Sequence, residues 1–294
     1  MTTLAVFTKN RLNPAYRAAR LAADRVAAAS GATAVHFVPE KPDNVEQQKV
    51  LVEEALRLKP EAVVFVPADD VAMLPDLAKF AAAGIPVIVC INRMDGPCAA
   101  FVGSDDVQVG RTAATALFAG LDDKGTIVAL DGPETARTCR DRADGLARAL
   151  AGHPGIELVG RDCGMNLRVE GREAMERLLA RHARIDGVWC ANDVMAFGAL
   201  EALDAAGRTA QIVGVNGLAE AIANIESGRM LASVDFSAYK IATFAAEAAM
   251  RHLRGEKLPA VITLPAELID RANIAAWKAP MEDRPVPAWL EIVP

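Results

Sequence analysis

The chain lacks any apolar run near the ~20 residues of a membrane-spanning helix. Its longest candidates, Ala62 to Val66 and Val87 to Ile91, have the length of strands, so it does not read as membrane-embedded. A secretion signal is also missing from the N-terminus: no basic segment leads into an apolar core, Leu4 already begins a strand-like run, and Met1 reads as the start of a trimmed mature form. Cysteine is sparse. Cys90, Cys98, Cys139, Cys163 and Cys190 make an odd count with no CxxC and no Cys/His spacing, which excludes a complete disulfide framework and gives no support to a metal site. The thiols read as small buried hydrophobes. Histidine is scarcer still, with His36, His153, His182 and His252 scattered rather than clustered. There is no GxxxxGK[ST], GxSxG or HExxH, and the loop after the first strand, Lys9 to Tyr16, holds no glycine and so cannot make a dinucleotide-binding turn. No cofactor and no catalysis is expected. Excess positive charge is absent as well: the net charge is −6, which gives no footprint for a nucleic-acid backbone.

What the sequence does have is a globular composition, 52% hydrophobic and 24% charged over 294 residues, enough for about two domains at roughly 150 residues each. A short β-branched run, a few turn residues and an Ala/Leu/Arg/Glu-rich segment of helical period recur, which is the trace of βα units. Strands are expected at Leu4 to Thr8, Thr33 to Val38, Ala62 to Pro67, Pro86 to Ile91 and Phe101 to Ser104, with helices at 14–29, 43–58 and 71–83 between the early ones. A helix at 107–121 opens a second series: strands at Thr126 to Asp131, Ile156 to Arg161, Gly187 to Ala191, Gln211 to Val215 and Leu231 to Phe236, with helices near 136–151, 168–182, 194–206, 218–227 and 238–254. A last strand, Val261 to Leu264, leads into an irregular tail whose end, with Pro280, Pro285, Pro287, Trp289 and Pro294, reads as an extended packing strap. The pattern favours an α/β fold of two doubly wound parallel-sheet layers. A single TIM barrel is the rival, weakened by more than eight strand candidates.

Open parallel sheets bind ligands beyond the carboxyl ends of their strands. At those positions stand neutral amides and guanidinium groups: Asn13, Asn92 and Arg93, Arg137 and Arg140, Asn166, Asn192, and Asn216. An amide offers donor and acceptor to a hydroxyl, a guanidinium offers a fork of donors, and Tyr16 or Phe236 can cover a CH face, so the set suits a sugar or polyol. Asp69-Asp70 and Asp105-Asp106, the only paired carboxylates of interest, each precede a helix and read as N-caps.

Asn13-Pro14-Ala15-Tyr16, Gly84-Ile85-Pro86-Val87, Asn92-Arg93, Gly103-Ser104-Asp105-Asp106, Ala191-Asn192-Asp193 and Gly214-Val215-Asn216-Gly217 resemble the ribose-type sugar-binding proteins of ABC importers, over nearly the whole chain. That family has the periplasmic-binding-protein type I fold, shared with the effector domains of LacI-type regulators. The resemblance implies two lobes joined by a three-strand hinge, at 1–104 plus 237–265 and 105–236 plus 266–294, with crossings near Ser104, Phe236 and Pro265. It implies a periplasmic, monomeric solute-binding protein that closes on a monosaccharide, sugar derivative or polyol without altering it, for an ABC permease or a chemoreceptor. Carried over by position, the ligand contacts are Asn13, Tyr16, Asn92, Arg93, Arg140, Asn166, Asn192, Asn216 and Phe236. Asn92 and Asn216 stand where the family usually has Asp, and Asn166 where an aromatic often stacks. With two carboxylates fewer, Arg93 and Arg140 are less neutralised, with Lys9, Arg11 and Arg137 nearby, so the expected ligand is an oxidised or otherwise anionic sugar derivative, or a polyol using amide contacts, unless Asp235 restores an acceptor. The alternatives are a LacI-type effector domain, which needs a helix-turn-helix ahead of the first strand, and a sugar-modifying enzyme.

Overall fold

The computed structural model describes residues 2–293; Met1 and Pro294, both named above, lie outside the described residues. The first βα series comprises β1 (Thr3–Phe7), α1 (Pro14–Ala29), β2 (Thr33–Phe37), α2 (Val45–Leu58), β3 (Ala62–Phe65), α3 (Leu74–Ala82), β4 (Val87–Cys90) and β5 (Ala100–Gly103). The second comprises α4 (Asp106–Gly120), β6 (Gly125–Asp131), α5 (Arg137–Ala151), β7 (Ile156–Cys163), α6 (Arg168–Arg181), β8 (Gly187–Cys190), α7 (Asp193–Ala205), β9 (Gln211–Val215), α8 (Ala219–Ser227) and β10 (Ala232–Asp235). Then follow α9 (Ala238–Leu253), β11 (Val261–Thr263), β12 (Glu267–Asp270) and the one-turn α10 (Trp289–Ile292).

Local chemistry sets the boundaries. Asn13, Asn44, Asp105, Asn192 and Ser237 cap α1, α2, α4, α7 and α9, each accepting from a backbone N–H of the first turn. Pro14 occupies the first turn of α1, where its missing N–H leaves no bond unmade. The central strands are apolar on both faces, as a sheet covered by helices on both sides requires.

The strands form two sheets, β11-β5-β4-β3-β1-β2 and β12-β10-β9-β8-β6-β7, and no barrel. The first is wholly parallel. The second is parallel except for β12, which runs antiparallel to β10. The sequence reading placed residues 267–270 in an irregular tail. Instead they form β12, which follows β11 across the third crossing and pairs with β10 at the edge of the second sheet. The chain passes between sheets three times: after Gly103, after Asp235 and after Thr263.

A cluster of phenylalanines, Phe7, Phe37, Phe65 and Phe80, fills one face of the first sheet, with Phe7 and Phe37 stacked at 4.9 Å. In the second, Trp189 is fully buried and donates its indole N–H to the carbonyl of Gly110. The tail is pinned rather than extended. Trp289 stacks on Phe244 at 5.5 Å, and the buried Arg284 donates to the carbonyls of Gly217 and Trp277.

Two glycines decide where α5 lies. A Cβ at Gly110 of α4 would collide with the backbone of Arg142, and one at Gly145 of α5 with the carbonyl oxygen of Val107. The helices therefore touch backbone to backbone, which fixes the depth of α5 and every side chain on its first turns. Gly145→Ala should destabilise the protein by about 2–3 kcal/mol in urea unfolding, because neither backbone can move without disturbing its sheet. A loss below about 0.5 kcal/mol would show that the close approach does not constrain α5.

Candidate functional site

A cleft between the two sheets is lined from the first by Lys9, Asn10, Asn13, Tyr16, Asp43 and Ile91, and from the second by Thr138, Cys139, Arg142, Asn166, Asn192 and Asn216, with Phe236 from the second crossing. Its enclosed part measures about 30 Å³, within about 440 Å³ of cleft space open to solvent. Asn13, Asn192 and Ser237 are N-caps, so α1, α7 and α9 start at this cleft, and their free N–H ends lend it positive potential.

The backbone around it is strained. Ile91 has φ +65°, Asn166 +58°, Asp43 +56° and Asn216 +133°, and Ser237, next to Phe236, has +47°. A β-branched residue in the left-handed region is an outlier, and such residues cluster where side chains must be aimed at a site.

Arg142 organises the second wall. It is buried, donates Nε to Asp106 at 2.8 Å and Nη1 to the carbonyl of Ala191 at 2.9 Å, and lies 4.7 Å from the centre of the Phe236 ring. Lys9 organises the first. Its Nζ is buried, 3.1 Å from Asp43 Oδ1, yet neither atom makes an aligned hydrogen bond. Burial works to lower the Lys9 pKa, but the Asp43 carboxylate beside it works the other way, and the ammonium is held above its ordinary range. Burial likewise raises Tyr16, so its phenol stays protonated.

Of the residues expected from sequence, Asn13, Tyr16, Asn166, Asn192, Asn216 and Phe236 come together on this cleft. Asn92, Arg93 and Arg140 do not line it. Asn92 is buried behind it, donating to the carbonyl of Pro67 and accepting from Thr138 Oγ1 at 2.9 Å. Arg93 is half exposed, 3.8 Å from Asp95, and faces a neighbouring cavity of about 270 Å³ that shares only Ile91 and Thr138 with the cleft. Arg140 turns outward to Asp70, at 2.6 Å, and to the carbonyl of Glu134. Helical geometry explains the last. Thr138, Cys139, Arg142, Gly145, Leu146 and Ala149 form the buried stripe of α5, and Arg140 is off that stripe. Asp235 is buried, accepts from the Ser237 N–H and does not line the cleft.

Sequence reasoning placed Lys9 near the pocket only as a nearby cation, and it missed Asp43, Thr138 and Arg142. An arginine in the i, i+3, i+4 stripe of an otherwise small and apolar helix face was the available signal for Arg142. It also took the acidic pairs for caps alone. Asp105 does cap α4, but Asp69 accepts from Val71 and Ala72 in the turn ahead of α3, whose cap position is Met73, and the second member of each pair reaches an arginine of α5.

The family model for the periplasmic binding protein domain matches residues 4–257. The chain belongs to this family. A ribose import binding protein of Bacillus subtilis is 29% identical over 218 residues, covering 74% of this chain and 71% of the relative. A xylitol-binding protein of Mycolicibacterium smegmatis is 31% identical over 189 residues, 63% of this chain and 54% of the relative. An ABC transporter solute-binding protein of Mycobacterium smegmatis, solved with glycerol, superposes with a TM-score of 0.89 at 28% identity, covering 94% of this chain and 96% of that one. One of Actinobacillus succinogenes, solved with D-allose, gives 0.88 at 26% identity over 94% and 99%. This periplasmic binding protein thus has two α/β lobes, one on each sheet. Among its described residues no helix is long and apolar enough to cross a membrane.

Three buried carboxyls carry its pH dependence. Burial raises Asp106, Asp193 and Asp235 from 3.8 to about 6; Arg142 pulls against the first, the Leu218 N–H against the second and Lys240 against the third. Across that window the folded chain binds more protons than the unfolded one, so stability falls as pH rises and is greater on the acid side. The urea midpoint at about pH 5 should equal or exceed that at about pH 7.5; one lower by more than ~0.5 M at the acid pH would contradict the assignment.

Proposed function

We propose that this periplasmic binding protein is the solute receptor of an ABC sugar importer: it holds a small polyhydroxylated molecule between its lobes in the periplasm, changes no bond in it, and presents its closed shape to a membrane permease. The lobes are 1–104 plus 237–265 and 105–236 plus 266–294, with the crossings near Ser104, Phe236 and Pro265 as hinge. The observation that carries this reading is the joint lining of one cleft by polar side chains from both sheets, with Tyr16 and Phe236 as its aromatic surfaces. Relatives named for ribose and xylitol, and neighbours solved with D-allose and glycerol, support a sugar or polyol.

The enclosed volume supports hinge motion. The cavity of about 30 Å³ is small for a monosaccharide, which fits a cleft that widens to admit a ligand when the lobes part. Two bonds join the lobes beside the cleft, Asp70–Arg140 and Asn92–Thr138. Both favour the closed arrangement over the open one.

Calorimetric titration with pentoses, hexoses and pentitols, with small-angle scattering of each mixture, tests the reading. At least one compound should bind and shrink the radius of gyration. Asn216→Ala and Tyr16→Ala should each weaken it about 10- to 100-fold, as loss of one or two buried polar contacts does, while Arg93→Ala should change it less than threefold. Equal losses at all three positions would move the site away from this cleft.

The outer ion pair gives a separate expectation. Asp70 is nearly buried and Arg140 is more than a third exposed, so the pair is partly screened and contributes on the order of 1 kcal/mol to closure. Asp70→Asn should weaken ligand about three- to tenfold through a smaller closed fraction, and enlarge the ligand-free radius of gyration. If affinity and radius both stay fixed, the pair does not govern closure.

A further inference from the structure

Polar groups in the cleft are unequally used. A hydroxyl needs both a donor and an acceptor when buried, whereas a carboxylate needs donors only. The amide oxygens at the cleft are partly engaged by the protein itself: both lone pairs of Asn10 Oδ1 are used, while Asn13 Oδ1 and Asn192 Oδ1 each keep one. Asn10 Oδ1 accepts from the N–H of Leu12 and of Asn13, Asn13 Oδ1 from that of Ala15, and Asn192 Oδ1 from that of Met195. Because a backbone N–H can only donate, these orientations are fixed. Asn192 then donates through Nδ2 to Asn166 Oδ1 at 3.1 Å, which fixes Asn166 as well.

Donors remain. Asn10 Nδ2, Asn13 Nδ2 and Arg142 Nη2 make no hydrogen bond among the described residues, and Asn166 Nδ2 has only the weak Cys139 sulfur at 3.3 Å. Lys9 Nζ is the clearest case: a buried ammonium with three N–H groups, one carboxylate oxygen at ion-pair distance and no aligned acceptor. The helix N-termini of α1, α7 and α9 point the same way. Against them, the carboxylate facing this cleft is Asp43, whose Oδ1 lies at ion-pair distance from Lys9 and, like Nζ, makes no aligned hydrogen bond, and Asp106 is occupied by Arg142. The side chains of Asn216 and Tyr16, which make no hydrogen bond among the described residues, and the lone pairs of Thr138 Oγ1 leave acceptors for a few hydroxyls.

We infer that the cleft selects a compact polyhydroxy carboxylate, a sugar acid rather than a neutral sugar, with the carboxylate held by the Lys9 ammonium and the unused amide and guanidinium donors. The inference rests on the sugar-binding reading above and names its ligand class. The sequence pointed to an anion through uncompensated Arg93 and Arg140, but both are turned away. The selectivity lies in donors left over after helix capping, not in net positive charge.

Matched five-carbon probes test it: ribitol, D-ribose and D-ribonate, and xylitol, D-xylose and D-xylonate, each titrated into the full chain by calorimetry. At least one pentonate should bind about tenfold or more tighter than its pentitol and its pentose. Lys9→Met should reduce that preference to within about threefold; should it unfold, the double variant K9M/D43N, which leaves no unpaired charge, replaces it after circular dichroism has shown it folded. Binding of a pentose or pentitol as tight as that of the matching acid overturns this inference and leaves the sugar-binding reading intact, as does an acid preference that survives both variants. Absence of binding by all six, with hexoses also inert and scattering unchanged, overturns both.

Discussion

The buried pair of Arg142 and Asp106 ties together the parts that must move and the parts that must not. Asp106 opens α4 directly after the first crossing, Ala191 closes β8, and Phe236 lies on the second crossing; Arg142 touches all three. Both partners are about 6% exposed, so removing either leaves a charge in a dry site, at a cost of ~3–5 kcal/mol. The pair is weak evidence for net stability, since apolar residues could fill the same space. Its geometric effect is firmer: the two crossings and the second wall of the cleft share one guanidinium, so the second lobe moves as a body that includes its share of the hinge.

Capping has a second consequence at the cleft. Each helix that begins there needs an acceptor for its first N–H groups; at α9 this is Ser237, but at α1 and α7 asparagine meets that need with its oxygen while turning its NH2 outward. Had these caps been Ser or Asp, the cleft side would carry a hydroxyl or a second carboxylate oxygen. Asn13 and Asn192 therefore do two things at once, and the fold's requirement at the strand end sets the polarity of the surface met by a ligand.

Much of this was legible in the sequence, for a physical reason. Strands covered on both faces are continuous apolar runs, and caps and glycines mark the helix ends, so β1 to β11 and α1 to α9 follow from period and punctuation. β12 escaped because four residues, Glu267 to Asp270, carry no period long enough to read. At the site, residues placed by strand ends and caps (Asn13, Asn166, Asn192, Asn216) were accessible, since their position depends on local structure. Arg93 and Arg140 were not, because a long side chain goes where a partner is. Asp95 and Asp70 lie on loops whose approach is a tertiary matter. Lys9 was read from the sequence as a cation near the pocket, but lysine at a strand end reads as solvated, and only the fold shows it buried beside Asp43.

The positive-φ residues connect the hinge to the cleft. Ile91, Asn216 and Ser237 each stand just after a strand; Asn216 lines the cleft itself, and Ile91 and Ser237 adjoin residues that bridge the lobes or line it. A left-handed turn there swings the following side chain out of the strand's alternation: Asn92, after Ile91, is thereby aimed at Thr138 across the cleft rather than along its own sheet. Holding a β-branched residue in that region costs on the order of 1–3 kcal/mol, which must be offset by interactions elsewhere. The offset at Ile91 comes in part from its N–H bond to the carbonyl of Val102 and in part from the bridge that Asn92 makes. When the lobes part, the Asn92–Thr138 bridge is lost, so the bridge favours closure; the strain at Ile91 shifts the equilibrium only as far as it relaxes on opening, and then against closure.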